Sequence, residues 1–314
     1  MAEKLDLIVI GESLIELSST ESLYYANTLN KYYGGDTLAT AISALRMGSR
    51  VGFISRIGMD CFKDYLLDSW QSEGLDISQV KPVNGFNGLY IISRISCEEK
   101  EFAYYRRKTA ATHLCIDDIS EDYIKSASVV YSTGLTQSLS LTSREAVKRA
   151  YEIAKENKIL CAYDPNFNSK VWSNEEAKEA FEEISDYLDI IFLNIRNDSK
   201  VIPNTDSVDL LIKFFRDKGI STVVIKSHLD KGYYIGYNGE VNFTEYTSSE
   251  PVDVTGAGDV YNGAFLHALT TGKTPFEAGR FAAIVAGLQT QNVGAIKSIP
   301  SKSDVMKHYK GTNG

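Results

Sequence analysis

The chain has 314 residues, which suits one large α/β core carrying a smaller appendage. Hydrophobic residues make up 43% and charged residues 24%, as in ordinary soluble proteins, and no apolar run approaches the ~18 residues of a membrane helix. A formal net charge of −8 argues against nucleic acid as a partner, but leaves room for a small phosphorylated ligand, whose site is local.

Met1-Ala2-Glu3-Lys4 leads directly into Leu5-Asp6-Leu7-Ile8-Val9-Ile10. That start is too short and acidic for a signal peptide and reads as a first strand. Strands are expected over 5–12, 51–58, 129–134, 160–166, 190–194 and 222–226, and helices over 37–47, 62–73, 142–157, 175–187 and 208–218. Such alternation implies βαβ units and a mostly parallel sheet with helices on both faces. Ligands then bind beyond the carboxyl ends of the strands. Glu16 to Tyr33 and Gly88 to Arg107 carry β patterns without intervening helices, and Glu98-Glu99-Lys100 suggests a hairpin. A small antiparallel sheet standing off the core, able to act as a lid or merely an extra edge sheet, accounts for both. The expected division is a core of 1–12, 34–87 and 109–314 with a β lid of 13–33 and 88–108. Lys302 to Gly314 is polar and expected to fray at its end.

The cysteines Cys61, Cys97, Cys115 and Cys161 are scattered, without a Cys-x-x-Cys pair, so a zinc site or disulfide framework is not expected and a cytoplasmic location is. His113, His228, His267 and His308 are equally dispersed.

The most informative stretch is Val252-Asp253-Val254-Thr255-Gly256-Ala257-Gly258-Asp259. Beyond it Tyr261, Ala264, Phe265, Ala268 and Leu269 fall at the spacing of a buried helix face. A Gly-rich turn thus opens into a helix, whose first amides lack intrahelical partners and carry partial positive charge. Such a turn can hold a phosphate, and a carboxylate at its edge can take a proton from an attacking hydroxyl. Taken alone, it also serves as a capped helix start. Gly34-Gly35-Asp36 precedes the first long helix in a similar way, and there Asp36 can bond sugar hydroxyls or cap the helix.

The string Asp-x-Thr-Gly-Ala-Gly-Asp before an amphipathic helix resembles the signature of the ribokinase-like (PfkB) carbohydrate kinases, and Gly34-Gly35-Asp36 resembles their sugar-binding motif. Gly11-Glu12-Ser13, Gly34-Gly35-Asp36-Thr37-Leu38 and Tyr104-Tyr105-Arg106 with Ala110-Ala111 narrow the likeness to the 2-keto-3-deoxygluconate kinases. The resemblance implies a ribokinase-like fold and ATP-dependent phosphorylation of a sugar acid, with Mg²⁺. Asp259 would be the base, and the Gly256, Ala257 and Gly258 amides would stabilise the moving phosphoryl group. Gly34, Gly35, Asp36, Tyr90, Tyr104, Arg106, Asn166 and Asn168 would contact the sugar acid. A guanidinium such as Arg106 can hold a carboxylate bidentately, although Arg106-Arg107-Lys108 also reads as a solvated strand end. Asn194, Lys226, Ser227, His228, Gly232, Thr255, Gly256, Gly258 and Ala286 would line the nucleotide, with Ala282, Ala283 and Gly287 either near the adenine or simply packing helices. Asp253 resembles part of a monovalent-cation site, which adds K⁺ as an optional cofactor.

Four positions depart from the family pattern: Ala39 for Asn, Asn168 for Arg, Asn197 for Glu and His228 for Gly. Lys170 can replace the charge missing at Asn168, as a point charge without the guanidinium fork. Asp198 adjoins Asn197, and Mg²⁺ leans on nucleotide phosphates and water in any case. These departures leave open another kinase of the family, acting on fructose, a nucleoside or an aldonate, or a sugar-binding protein whose catalysis has decayed. No Walker motif occurs, which excludes a P-loop enzyme. The Tyr-rich lid strands are compatible with a homodimer or higher oligomer formed through the lid.

Overall fold

The computed structural model describes residues 4–96, 99–247 and 250–311. Met1-Ala2-Glu3, Cys97, Glu98 of the expected hairpin and 312–314 of the C-terminal tail lie outside the described residues.

In chain order the strands are β1 Leu5–Ile10, β2 Leu14–Ser19, β3 Asn30–Gly34, β4 Val51–Gly58, β5 Asp76–Val83, β6 Gly88–Arg94, β7 Lys100–Tyr105, β8 Ala127–Thr133, β9 Leu160–Asp164, β10 Ile190–Asn194, β11 Thr222–Ser227, β12 Gly232–Tyr237 and β13 Glu240–Glu245. The helices are α1 Asp36–Met47, α2 Lys63–Glu73, α3 Glu121–Lys125, α4 Gly134–Gln137, α5 Leu141–Glu156, α6 Asn174–Glu182, α7 Val208–Asp217, α8 Ala257–Thr270, α9 Pro275–Gln289 and α10 Lys302–Gly311.

The large sheet has the order β13-β12-β11-β10-β9-β8-β1-β4-β5. Every pairing from β11 to β5 is parallel, while β12 and β13 add an antiparallel hairpin at one edge. Apolar runs such as Ile190-Ile191-Phe192-Leu193 suit strands buried on both faces. Alternate residues go opposite ways: Ile190 and Phe192 join a core with α1, α8 and α9, whereas Ile191 and Leu193 join one with α5, α6 and α7.

The second sheet has the order β3-β2-β6-β7. Its β2–β3 and β6–β7 pairs are antiparallel, and β2 and β6 run parallel. The expected helix over 175–187 divides into α6 and a 3₁₀ turn at Ser185–Tyr187. Strand β1 stops at Ile10, leaving Glu12 in the connection to the second sheet.

What positions the site is the close packing of α8 on α1. A Cβ on Gly263 would lie 2.1 Å from the Thr40 carbonyl oxygen, so only glycine permits this approach. Thr40 Oγ1 donates to the Asp259 carbonyl at 3.1 Å, and Ser43 Oγ to that of Val260 at 2.7 Å. These bonds fix the register of the two helices and bring Asp36 and Asp259, each in the first turn of its helix, to one cleft.

Candidate active site

A cavity of about 1460 Å³ opens where the two sheets meet the first turns of α1 and α8. Glu12, Gly35, Asp36, Tyr90, Tyr104, Arg106, Asn166, Asn168, Thr255, Gly256 and Asp259 line it, as do Arg107, Lys108 and Lys170.

At one wall Gly256 caps α8 with φ 76°, a left-handed conformation that favours glycine, and a Cβ there would come 2.9 Å from the Ala295 Cβ. The Ala257 amide closes the turn onto the Val254 carbonyl at 3.2 Å, so an anion would have to share it. The Gly258 amide begins the helix, where no intrahelical acceptor exists.

Burial pushes the Asp259 carboxyl well above the usual carboxylate range; Asp36 and Asp164 add to this, and Lys226 opposes it. A carboxylate so placed has the basicity to take a proton from a hydroxyl.

Lys226 and Gly258 are close, since a Cβ on Gly258 would sit 3.4 Å from Lys226 Nζ. Lys226 is buried, and its ammonium bonds Asp164 Oδ2 at 2.6 Å and Asn262 Oδ1 at 3.4 Å. Burial works against that charge, but Asp164 outweighs it and holds the ammonium above its ordinary value. Asn262 completes the cluster, donating to Asp164 Oδ2 at 2.7 Å and to the Tyr131 hydroxyl at 3.1 Å.

The residues expected to contact the sugar are ordered largely by one another. Thr133 Oγ1 donates to Asp36 Oδ2 at 2.7 Å and Asn166 Nδ2 does so at 3.3 Å. Gly34 faces the Tyr90 ring, whose hydroxyl oxygen would be 2.5 Å from a Cβ there. The Tyr90 hydroxyl itself donates to Glu16, so the ring rather than the phenol is free to meet a ligand. Tyr104 lies beside it with ring centroids 5.9 Å apart, and stacks on Phe102 at 5.8 Å. Arg106 is ion-paired with Glu12 and donates weakly to the Leu135 carbonyl at 3.4 Å. Burial pushes Glu12 up to about 7, with Arg106 opposing and Asp36 reinforcing the shift. Asn168 accepts from the Lys170 amide at 3.0 Å, forming a turn at the cavity wall.

The remaining residues expected to line the nucleotide do not line this cavity. Asn194 accepts from the Arg196 amide at 2.9 Å, Ser227 donates to Asp230 at 2.6 Å, and His228 is exposed. Gly232 lies in β12, where a Cβ would meet the Phe243 ring at 2.4 Å. Ala286 is buried in α9. Asp198 is buried and its two oxygens accept from the Phe167 and Asn194 amides at 2.7 and 2.6 Å, which ties it to the loop backbone.

The pairing roles of Glu12, Asp164 and Asn262 are not legible in the sequence, although Glu12 falls within the Gly11-Glu12-Ser13 motif. Their partners lie between 36 and 98 residues away in the chain.

A nine-stranded, mostly parallel sheet, a smaller second sheet and a glycine turn opening a helix beside a carboxylate make an α/β architecture with an anion-binding turn at its cleft. Residues 4–302 match the model of the pfkB family carbohydrate kinases. The chain belongs to this family and is a sugar kinase. Among relatives, it is 28% identical to a 5-dehydro-2-deoxygluconokinase of Clostridium beijerinckii, covering 98% of this chain and 94% of that one. It is 27% identical to a 2-dehydro-3-deoxygluconokinase of Thermoproteus tenax over the same shares. Among solved structures, a putative ribokinase II of E. coli in complex with ATP and Mg²⁺ superimposes with a TM-score of 0.89 at 21% identity, covering 98% of this chain and 99% of that one. A 2-dehydro-3-deoxygluconokinase of Thermotoga maritima gives 0.87 at 20% identity, covering 98% and 100%.

ATP and Mg²⁺ are the family's co-substrate and metal. The glycine turn backed by Lys226 fits polyphosphate chemistry, since amides and an ammonium converge there. Among the described residues no group of three or more His, Cys, Asp or Glu side chains could hold a metal ion by itself. A Mg²⁺ bound through phosphate oxygens and water needs no such group. No helix among the described residues is long and apolar enough to cross a membrane.

Proposed function

We propose that this kinase phosphorylates 2-dehydro-3-deoxygluconate, or its galactonate epimer, on the terminal hydroxyl. The observation that carries the reading is that a single cavity holds hydroxyl acceptors, cations and a base: Asp36 with Asn166, then Arg106, Arg107, Lys108 and Lys170, then Asp259 at its turn. A keto-deoxy acid needs all three, whereas a neutral sugar has no use for the cations.

Asp259 accepts the hydroxyl proton, and the Gly256 and Gly258 amides meet charge developing on the moving phosphoryl group. Mg²⁺ supplies charge neutralisation at the ATP phosphates. Asp36, oriented by Thr133 and Asn166, holds the sugar hydroxyls. The second sheet, taken as a lid, excludes water that would otherwise compete for the phosphoryl group.

The names of several relatives favour a second reading, 5-dehydro-2-deoxygluconate as substrate. Both acids carry a carboxylate and a terminal hydroxyl, and they differ in where the ketone and the missing hydroxyl fall. A coupled ADP-release assay with ATP and Mg²⁺ separates the readings. The panel is the two keto-deoxy acids, the galactonate epimer, gluconate, fructose, ribose and adenosine. Preference for the 2-keto acids supports the first reading, and preference for the 5-keto acid the second. Turnover confined to a neutral sugar or nucleoside overturns both.

A further inference from the structure

The contact between the second sheet and the catalytic turn is made of buried charge. Arg94, at the end of β6, lies with Nη1 2.9 Å from Glu16 Oε1 and Nε 2.7 Å from Asp253 Oδ2. The latter is an ion pair without hydrogen-bond geometry. Lys100, at the start of β7, places Nζ 2.7 Å from Asp253 Oδ1 and 3.1 Å from Thr255 Oγ1. The side chains of Arg94, Glu16 and Asp253 are 4%, 2% and 1% exposed.

Asp253 passes this contact on to the backbone of the turn. Its Oδ1 accepts from the Thr255 amide at 3.0 Å and the Thr255 hydroxyl at 2.6 Å, and its Oδ2 from the Gly294 amide at 3.0 Å. Burial alone would raise the Asp253 carboxyl, yet Lys100, Thr255 and Gly294 hold it down at about 2. Gln289 Nε2 donates to the Thr255 carbonyl at 3.1 Å, so Thr255 is gripped on both sides immediately before Gly256. Burying two cations against two carboxylates is a poor way to gain stability, and fixing one element in register on another is the better attested use of such groups.

We propose that Arg94 and Lys100 are positioning residues for phosphoryl transfer: carried on the second sheet, they clamp Asp253 and thereby set the Thr255–Gly258 turn. The proposal rests on the reading of that turn as the anion hole. Neither cation touches the reacting atoms. With the sheet seated, Lys100 Nζ bridges Asp253 and Thr255, and the turn amides are aimed. With the sheet lifted, both cations leave together, and Asp253 keeps only its turn and loop donors. Transfer geometry is thereby tied to lid closure.

The test uses the full chain with Lys100→Met and Lys100→Arg, which leave Arg94 to balance Asp253. For the best substrate of the panel, Lys100→Met should lower kcat about 10- to 100-fold, the loss typical of slight misplacement, with the sugar KM little changed. Lys100→Arg should keep most of the activity. Hydrogen exchange of the Thr255–Gly258 amides should quicken in Lys100→Met and not in Lys100→Arg. In Lys100→Ala, added methylammonium should recover part of the lost kcat by occupying the vacated place between Asp253 and Thr255. Wild-type kcat in Lys100→Met, a loss confined to sugar KM, or a kcat loss with unchanged exchange at the turn would each overturn the proposal. If the wild type turns over no member of the panel, the substrate reading fails, while exchange at Thr255–Gly258 still decides the clamp.

Discussion

Replacing Lys226 with methionine should lower stability and shift the pH dependence together. The Lys226 ammonium lies 2.6 Å from Asp164 Oδ2, with side chains 10% and 2% exposed. Removing one partner of a buried pair costs about 3–5 kcal/mol, because the other charge stays behind in a poor medium. Asp164 retains two donors, Asn262 Nδ2 at 2.7 Å and the Asn166 amide at 2.9 Å. The lower end, about 3 kcal/mol, is therefore expected. Changing Asp164 to Asn in the same chain should recover about 1–3 kcal/mol, the coupling expected of contacting residues. Lys226 is also the neighbour that draws the Asp259 carboxyl downward against burial and the charge of Asp36. Without it Asp259 rises further. A base must be deprotonated to act, so the acid limb of kcat/KM should move to higher pH. Urea unfolding near neutral pH and kcat/KM across the acid limb read the two effects. A stability within about 1 kcal/mol of wild type would refute the energetic argument. An unmoved limb would refute the electrostatic one.

Gly256→Ala should cost about 1–2 kcal/mol for its left-handed conformation alone, before the contact with Ala295, and reduce kcat more than the sugar KM. Thermal unfolding and steady-state kinetics check both parts. Arg106→Ala should raise KM for a keto-deoxy acid about 10- to 100-fold, the worth of a charge-assisted hydrogen bond, and hardly affect a neutral sugar. Arg106→Lys should recover little, since a point charge lacks the fork. Glu12 gives a pH signature. Its folded value of about 7 lies above the ordinary 4.5, so its contribution to stability is full below about 4.5 and lost as pH rises through 7. Glu12→Gln should remove this slope, roughly 3 kcal/mol over that window, from urea midpoints measured against pH. Parallel pH profiles for variant and wild type would count against it.

The central strands were legible because buried parallel strands are short, continuous apolar runs between helices. Strand β5, Asp-Ile-Ser-Gln-Val-Lys-Pro-Val, was not, since an edge strand carries polar residues and tolerates Pro82. The β12–β13 hairpin was hidden in plain view. Asn238 and Gly239 at its tip have φ 50° and 83°, the signature of a tight two-residue turn, but the expected strands stop at 226 and only Gly232 of this hairpin was given a role, in the nucleotide loop. At the site, Asp259 and the Gly256 turn could be placed because a helix start is a local pattern. The clamp of Arg94 and Lys100 on Asp253 could not, because it spans more than 150 residues of chain and depends on how two sheets meet. For the same reason the sequence points to Arg106 as a ligand for a substrate carboxylate or a solvated strand end, without its pairing with Glu12.

The most direct measurement is phosphorylation of 2-dehydro-3-deoxygluconate by wild type and Asp259→Asn, followed by ADP release, with folding checked by circular dichroism. The wild type should turn over, and a variant that folds normally should lose at least about 10²-fold, as when a positioned general base is removed. Turnover retained by Asp259→Asn would contradict the role given to the turn and its carboxylate.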